Sequence, residues 1–172
     1  MMQAEMYKVG TIGKGFFAIM ARPSLEENDP ASVVNISRLD INLVVSLLEI
    51  NEARTLGLDA EREQARALGM QFVSFPIPDM GIPTSVEEFA SLSKMLLKQI
   101  DAGANLLVHC HAGIGRSGLL AAGILLHCNL NPQQAFAHVS KMRGVRVPET
   151  PEQEYWLINN HAAIVGDLEK DS

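Results

Sequence analysis

The residues from His109 to Gly118, HCHAGIGRSG, set one of the chain's two cysteines between histidines and follow it with three glycines and an arginine. Such a cluster can hold a metal ion, turn a strand into a helix, or present a nucleophile to a bound anion. A metal site fits poorly. His109, Cys110 and His111 are consecutive, and neighbouring side chains of extended backbone point to opposite sides. No second Cys/His cluster has zinc-ligand spacing, so no metal is expected. A glycine-rich turn around a small buried cysteine accounts for Cys110 and the glycines, but it leaves Arg116 carrying its charge into an apolar helix without a partner. An anion cradle accounts for more of the residues together.

Five residues separate Cys110 from Arg116, a length that can wrap a phosphate-sized anion with the backbone N–H groups of His111, Ala112, Gly113, Ile114, Gly115 and Arg116. Gly113 and Gly115 permit the dihedrals and close approach this requires. The helix that follows points its positive end into the loop, and the planar fork of Arg116 can grip two phosphate oxygens. The same field favours a thiolate: a free cysteine titrates near roughly 8.5 and falls by several units at a helix N-terminus beside cations. Cys110 is therefore expected to be ionised at neutral pH, under the bound phosphorus.

His-Cys, five residues, Arg, Ser is the spacing of the signature loop of the cysteine-dependent protein tyrosine phosphatase superfamily, and HCHAGIGRSG resembles it at every fixed position. The short chain resembles the small dual-specificity branch, with a layout similar to kinase-associated phosphatases over about 41–156. The resemblance implies that Cys110 is the nucleophile, that Arg116 binds and stabilises the transferring phosphoryl group, that Ser117 assists the thiolate as leaving group, and that His109 orders the loop from behind and tunes the thiol. The His111 side chain is given no chemical role. The implied substrate is a phosphorylated protein or peptide, with phosphate or another oxyanion in the loop and no cofactor.

Cleaving a phosphate monoester also needs a proton for the leaving oxygen, which the family takes from an aspartate upstream. PIPDMGIP offers Asp79, 31 residues before Cys110. PDMG is equally a good β-turn, in which Asp79 has only a local job. The Trp of the large tyrosine phosphatases' Trp-Pro-Asp loop is missing. Asp40 and Asp59 are rival acids, although Asp59 reads as a cap before AEREQ. Thr150 and Gln153 resemble the family's Thr-x-x-Gln segment, where Gln positions the hydrolytic water. The same four residues also spell a helix capping box. Lys141, Arg143 and Arg146 form a basic cluster that either supports the loop, guides phosphoprotein or complements a helix end. Two other readings stay open: a phosphoinositide or inositol-phosphate phosphatase, against which HAGIG lacks any Lys or Arg, and an inactive phosphopeptide-binding module.

These residues need a frame. YKVGTIGKGFFAIM predicts a β-hairpin around Gly13-Lys14-Gly15, and RPSLEENDP a polar loop. INLVVSLL predicts a buried strand over 41–48, DAEREQARALG a helix stopped at Gly69, and MQFVSFPIP a strand stopped by Pro76 and Pro78. TSVEEFASLSKMLLKQIDAG predicts a long amphipathic helix with a Ser85/Glu88 capping box, and ANLLVHC a short buried strand. Three helices follow: GRSGLLAAGILLHC; NPQQAFAHVSKMRG, capped by Asn131 and stopped at Gly144; and TPEQEYWLINNHAAIV, capped by Thr150. Strands alternating with helices predict an α/β fold, a central mostly parallel sheet flanked by helices with an N-terminal β-hairpin. In such sheets ligands bind beyond the carboxyl ends of the strands, where HCHAGIGRSG lies.

The chain has 172 residues, 47% of them apolar and 20% charged, which predicts one globular domain over 1–172; the resemblance implies that it is a phosphatase domain. With 14 basic against 20 acidic residues the formal net charge is −6, a poor match to nucleic acid, although one focused pocket can still be positive. The N-terminal MMQAEMYKVGTIGKG has no basic region followed by an apolar one, and GLLAAGILL falls short of the roughly 20 residues of a membrane span. Two cysteines make no disulfide framework, and about twelve residues of helix, roughly 18 Å, would separate Cys128 from Cys110, too far for a bridge. A cytoplasmic protein with neither membrane nor nucleic-acid partner is expected.

Overall fold

The structure is a computed structural model that describes residues 5–166; both ends of the expected 1–172 domain lie outside the described residues. Strands β1 (Tyr7–Ile12) and β2 (Gly15–Met20) form the N-terminal hairpin. Its GKG turn is dictated by a close approach. A Cβ on Gly15 would meet the Ala104 carbonyl oxygen at 2.1 Å, and the Lys14 N–H donates to the Asp101 carbonyl at 3.1 Å. The remaining strands are β3 (Leu43–Ser46), β4 (Gln71–Ser74) and β5 (Asn105–His109), and the sheet order is β1-β2-β5-β3-β4. Every pairing except β1 with β2 is parallel, so the sheet is mixed but mostly parallel.

β5 lies at the centre, which is why NLLVH is nearly all apolar. Its alternate side chains enter two cores. Leu106 and Val108 pack with Phe17, Ile19, Leu119 and Leu120 on one face, and Leu107 packs with Ala18, Met20, Ile36 and Ala65 on the other. The first face is covered by α4 (Val86–Asp101), α5 (Gly115–Leu126), α6 (Pro132–Arg143), α7 (Pro151–Asn159) and α8 (His161–Val165); α1 (Val33–Ser37) and α3 (Glu61–Ala67) pack on the second. All twelve residues of α5 are buried, which explains an apolar run without a polar stripe. His109 is level with Met20 of β2 and Ser46 of β3. Three parallel strands therefore end together, and the loops that follow them gather on one edge.

Several local expectations shift. β3 is shorter than 41–48 because its pairing ends at the Ser46–His109 rung; Leu47 and Leu48 stay buried beyond it. α1 and α2 (Ile50–Thr55) were not expected from the sequence, being five and six residues long, too short for a helical period to repeat. Asp59 does not cap α3. The helix starts from Ala60 with no side-chain cap, after a turn in which the Glu61 N–H donates to the Leu58 carbonyl at 3.1 Å. Ser85 caps α4 by accepting from the Glu88 N–H at 3.1 Å, but its hydroxyl bonds Glu87 rather than closing a box with Glu88. The last helix breaks into α7 and α8 at Asn160, whose side-chain amide donates to the Trp156 carbonyl at 2.8 Å. The caps at Asn131, Gly144 and Thr150 form as expected. Among the described residues no helix is long and apolar enough to cross a membrane.

Candidate active site

The His109–Gly115 segment leaves β5 and folds into a cradle whose carbonyls are tied down from outside. The His111 carbonyl accepts from the Arg22 N–H at 3.0 Å. From α6, Arg143 reaches the Gly113 carbonyl with Nε at 3.0 Å and the Ala112 carbonyl with Nη2 at 3.3 Å, its guanidinium stacked 4.0 Å from the Tyr7 ring centroid. With these carbonyls held behind the loop, N–H groups are left for the inside: Gly113 N–H points at Cys110 Sγ, 3.3 Å away. Gly113 has φ +71°, and a Cβ there would lie 2.5 Å from the Met20 carbonyl carbon, so glycine is required twice over. At the start of α5, Ile114 occupies the capping position without a side-chain cap bond, leaving the first N–H groups of a twelve-residue helix for an anion.

Arg116 is 2% exposed, and its charge has partners. Nη1 and Nη2 each donate to one oxygen of Glu52 at 2.8 Å, a bidentate pair. Nη1 also donates to the Ile77 carbonyl at 3.0 Å, and Nη2 to Asp79 Oδ1 at 3.0 Å. Burial works against the Arg116 charge, but the Glu52 hydrogen bonds, then the nearby Cys110, Glu52 and Asp79 charges, outweigh it and hold the guanidinium above its ordinary pKa. The same pair of bonds pulls Glu52 below its ordinary value against its own partial burial. Sequence reasoning missed Glu52. Its only signal was the unpaired Arg116 charge, which demands a carboxylate without saying which.

Asp79 sits in the predicted turn, closed by the Gly81 N–H donating to the Pro78 carbonyl at 2.8 Å. Its side chain is 63% exposed, and it reaches Arg116 as well; the turn and the site thus coincide. Asp40 is at the opposite end of the sheet, its carbonyl bonded to Asn105 at the start of β5. Asp79, Cys110, His111, Ala112, Arg116 and Glu149 line one cavity of about 170 Å³, with Met80 at its rim. Ser117 is fully buried, and its hydroxyl has no partner among the described residues. His109, fully buried behind the loop, meets the carboxylate of Glu61. Gln153, also fully buried, accepts at Oε1 from the Glu149 and Thr150 N–H groups at 3.0 and 3.2 Å, and its Nε2 donates to the Gly81 carbonyl at 3.0 Å. The capping box forms, and the same side chain fastens it to the Asp79 loop. Of the basic cluster, only Arg143 is bonded to the loop; Arg146 is exposed, 3.8 Å from Glu154.

A thiol over inward N–H groups, a paired arginine across from it and a carboxylate at the mouth can bind an oxyanion and exchange groups with it. The family described as "Swiss Army Knife protein, DSP-PTPase phosphatase domain" matches residues 8–152. The chain belongs to that phosphatase family. Cyclin-dependent kinase inhibitor 3 of Sus scrofa is 33% identical over 84 residues, 48% of this chain and 39% of that protein, so the chain spans well under two thirds of that relative. Receptor-type tyrosine-protein phosphatase H of Homo sapiens is 30% identical over 73% of this chain and 11% of its own length. Among solved structures, kinase associated phosphatase with its catalytic-site cysteine substituted by serine superposes with a TM-score of 0.82 at 18% identity, covering 96% of this chain and 97% of that one. As a DSP-PTPase member the chain carries HCHAGIGRSG where the cradle, Arg116 and the cavity meet.

Proposed function

We propose that the protein is a phosphoprotein phosphatase that hydrolyses phosphotyrosine, and also phosphoserine and phosphothreonine, through a phosphocysteine intermediate. The observation that carries this is the state of Arg116. Four of its N–H groups are committed to Glu52, Ile77 and Asp79, while Nε has no bond among the described residues. A phosphate gripped by Nε and Nη2 takes the donor that Asp79 now holds; the Asp79 carboxylate, freed from the guanidinium, binds a proton from solvent and turns as a carboxylic acid toward the leaving oxygen. Cys110 Sγ attacks phosphorus in line; the S–P bond forms as the P–O bond to the leaving group breaks, and Asp79 gives that oxygen its proton. The loop N–H groups and Arg116 hold the equatorial oxygens. Water then attacks phosphorus, passes a proton to Asp79, and the S–P bond breaks to return thiolate and inorganic phosphate.

The unpartnered Ser117 hydroxyl is a donor for the departing thiolate. Gln153 keeps one Nε2 hydrogen beyond its bond to Gly81, which suits the positioning of water. A nucleophilic thiol works where thiols stay reduced, which fits a cytoplasmic protein. The test is hydrolysis of para-nitrophenyl phosphate, expected to be blocked by vanadate and unaffected by EDTA. Panels of phosphotyrosine, phosphoserine/phosphothreonine peptides and phosphatidylinositol phosphates then fix the substrate. Retained turnover in Cys110→Ser refutes the mechanism. If Asp79→Asn matches wild type on substrates with poor leaving groups, Asp79 is not the acid.

A further inference from the structure

We propose that Glu61 is a positioning residue for the nucleophile: through His109 it fixes the conformation and the ionisation of Cys110. This rests on the phosphatase reading above for its consequence in turnover, but its geometry stands by itself. Glu61 opens α3 on the second face of the sheet and is 3% exposed, whereas its neighbours Arg62 and Glu63 are exposed. Around it that layer is apolar, with Ala65 and Met70 buried nearby in the chain. A carboxylate in such a place is costly unless something holds it. What holds it is the His109 ring, fully buried, with Nε2 2.7 Å from Glu61 Oε2.

The other ring nitrogen decides what the pair does. His109 Nδ1 lies 3.4 Å from the Cys110 carbonyl oxygen, which can only accept, so that bond needs a proton on Nδ1. Glu61 secures it in either protonation arrangement. An ionised Glu61 takes Nε2–H of an imidazolium whose Nδ1–H remains. A protonated Glu61 donates to Nε2 and leaves the single ring proton on Nδ1. Without the carboxylate a neutral ring is free to carry its proton on Nε2 and turn a lone pair toward the carbonyl. The pair is neutral overall, with its proton-bearing ring toward Cys110 and its carboxylate away, an orientation that favours a thiolate. On the neighbouring strands the residues level with His109 are Met20 and Ser46, both uncharged. The charged and titratable groups sharing the cavity with Cys110 are Asp79, His111, Arg116 and Glu149, and a change at Glu61 alters none of them.

The experiment measures alkylation of Cys110 by iodoacetamide against pH, followed by peptide mass spectrometry, in wild type, Glu61→Gln and Glu61→Leu, beside kcat and KM for para-nitrophenyl phosphate. Leu fills the same apolar layer without a carboxylate, so a role in packing alone predicts wild-type behaviour for that variant. We expect the alkylation midpoint to move up by about one pH unit and kcat to fall by about tenfold with KM within about twofold in Glu61→Leu. Glu61→Gln, whose amide can still donate to Nε2 and keep the ring proton on Nδ1, should fall between Glu61→Leu and wild type. In a His109→Gln background, adding Glu61→Leu should change nothing further. The inference is overturned if Glu61→Leu keeps the wild-type midpoint, or if it acts in full without His109. An inactive wild-type enzyme would sink the phosphatase reading instead, while the alkylation series would still decide the role of Glu61. If Glu61→Leu does not fold by circular dichroism, Glu61→Met, which likewise has no N–H or O–H to give Nε2, takes its place in both backgrounds.

Discussion

Replacing Glu52 by Gln tests how Arg116 is held. The substitution keeps the size of the side chain but removes its charge and turns one of two acceptors at 2.8 Å into an NH2 that faces a donor. Breaking a buried pair by removing one partner costs about 3–5 kcal/mol. Two features lower that figure here. The Glu52 side chain is 16% exposed, and Ile77 and Asp79 still hold the guanidinium. A cost of about 2–3 kcal/mol remains, which in a chain of this length lowers Tm by roughly 4–12 °C. Because the loosened guanidinium is no longer fixed across from Cys110, kcat/KM should fall by about 30- to 160-fold, the equivalent of the same 2–3 kcal/mol. A pH signature accompanies this. Arg116 holds Glu52 below its ordinary value, so the stabilisation is complete above the unfolded carboxyl value near 4.3 and is lost as pH falls through the lower folded one. Wild type and Glu52→Gln should therefore differ most at neutral pH and converge in acid. Thermal denaturation monitored by circular dichroism, with para-nitrophenyl phosphate kinetics, measures both. A variant within about 1 °C of wild type in Tm and about twofold in kcat/KM refutes the idea that Glu52 holds Arg116 in place.

Gly113→Ala should lower kcat by at least about 100-fold and destabilise by more than about 1 kcal/mol, because Ala pays both a positive φ and a clash with backbone that cannot give way; steady-state kinetics and urea titration check it. His127 is held below its ordinary pKa by burial, then by Lys94, so the neutral ring favours the fold and stability should decline as pH falls below about 6.5. Urea midpoints at several pH values should show that decline in wild type and less of it in His127→Gln. Burial raises the Cys128 thiol, and both cysteines are free. Mild peroxide should therefore modify Cys110 before Cys128, and a Cys110–Cys128 bridge in the mass spectrum would contradict the separation imposed by α5.

What the sequence could disclose about the site follows the distance over which each interaction acts. The cradle is built from backbone N–H groups and glycines within ten residues, so spacing alone exposed it, as it exposed the strand and helix on either side. The partners that make the buried charges tolerable come from far along the chain, Glu52 from 64 residues and Glu61 from 48 residues before their partners. Among 20 acidic residues nothing local marks those two, and both stand in or beside helices too short to declare a buried face. Parallel pairing was legible from apolar strands alternating with helices, whereas the place of β5 between β2 and β3 depends on contacts no local pattern records. Gln153 shows that two readings of one segment need not compete. Its oxygen completes the capping box and its nitrogen reaches the Gly81 carbonyl, so the residue that closes the first turn of α7 also ties that helix to the turn carrying Asp79. The demand for partners was itself legible. An arginine entering an apolar helix requires a carboxylate, and a histidine buried behind a cysteine requires an acceptor or a donor for each ring nitrogen. Counting those demands in a sequence predicts how many distant residues a site must recruit, even where it cannot name them.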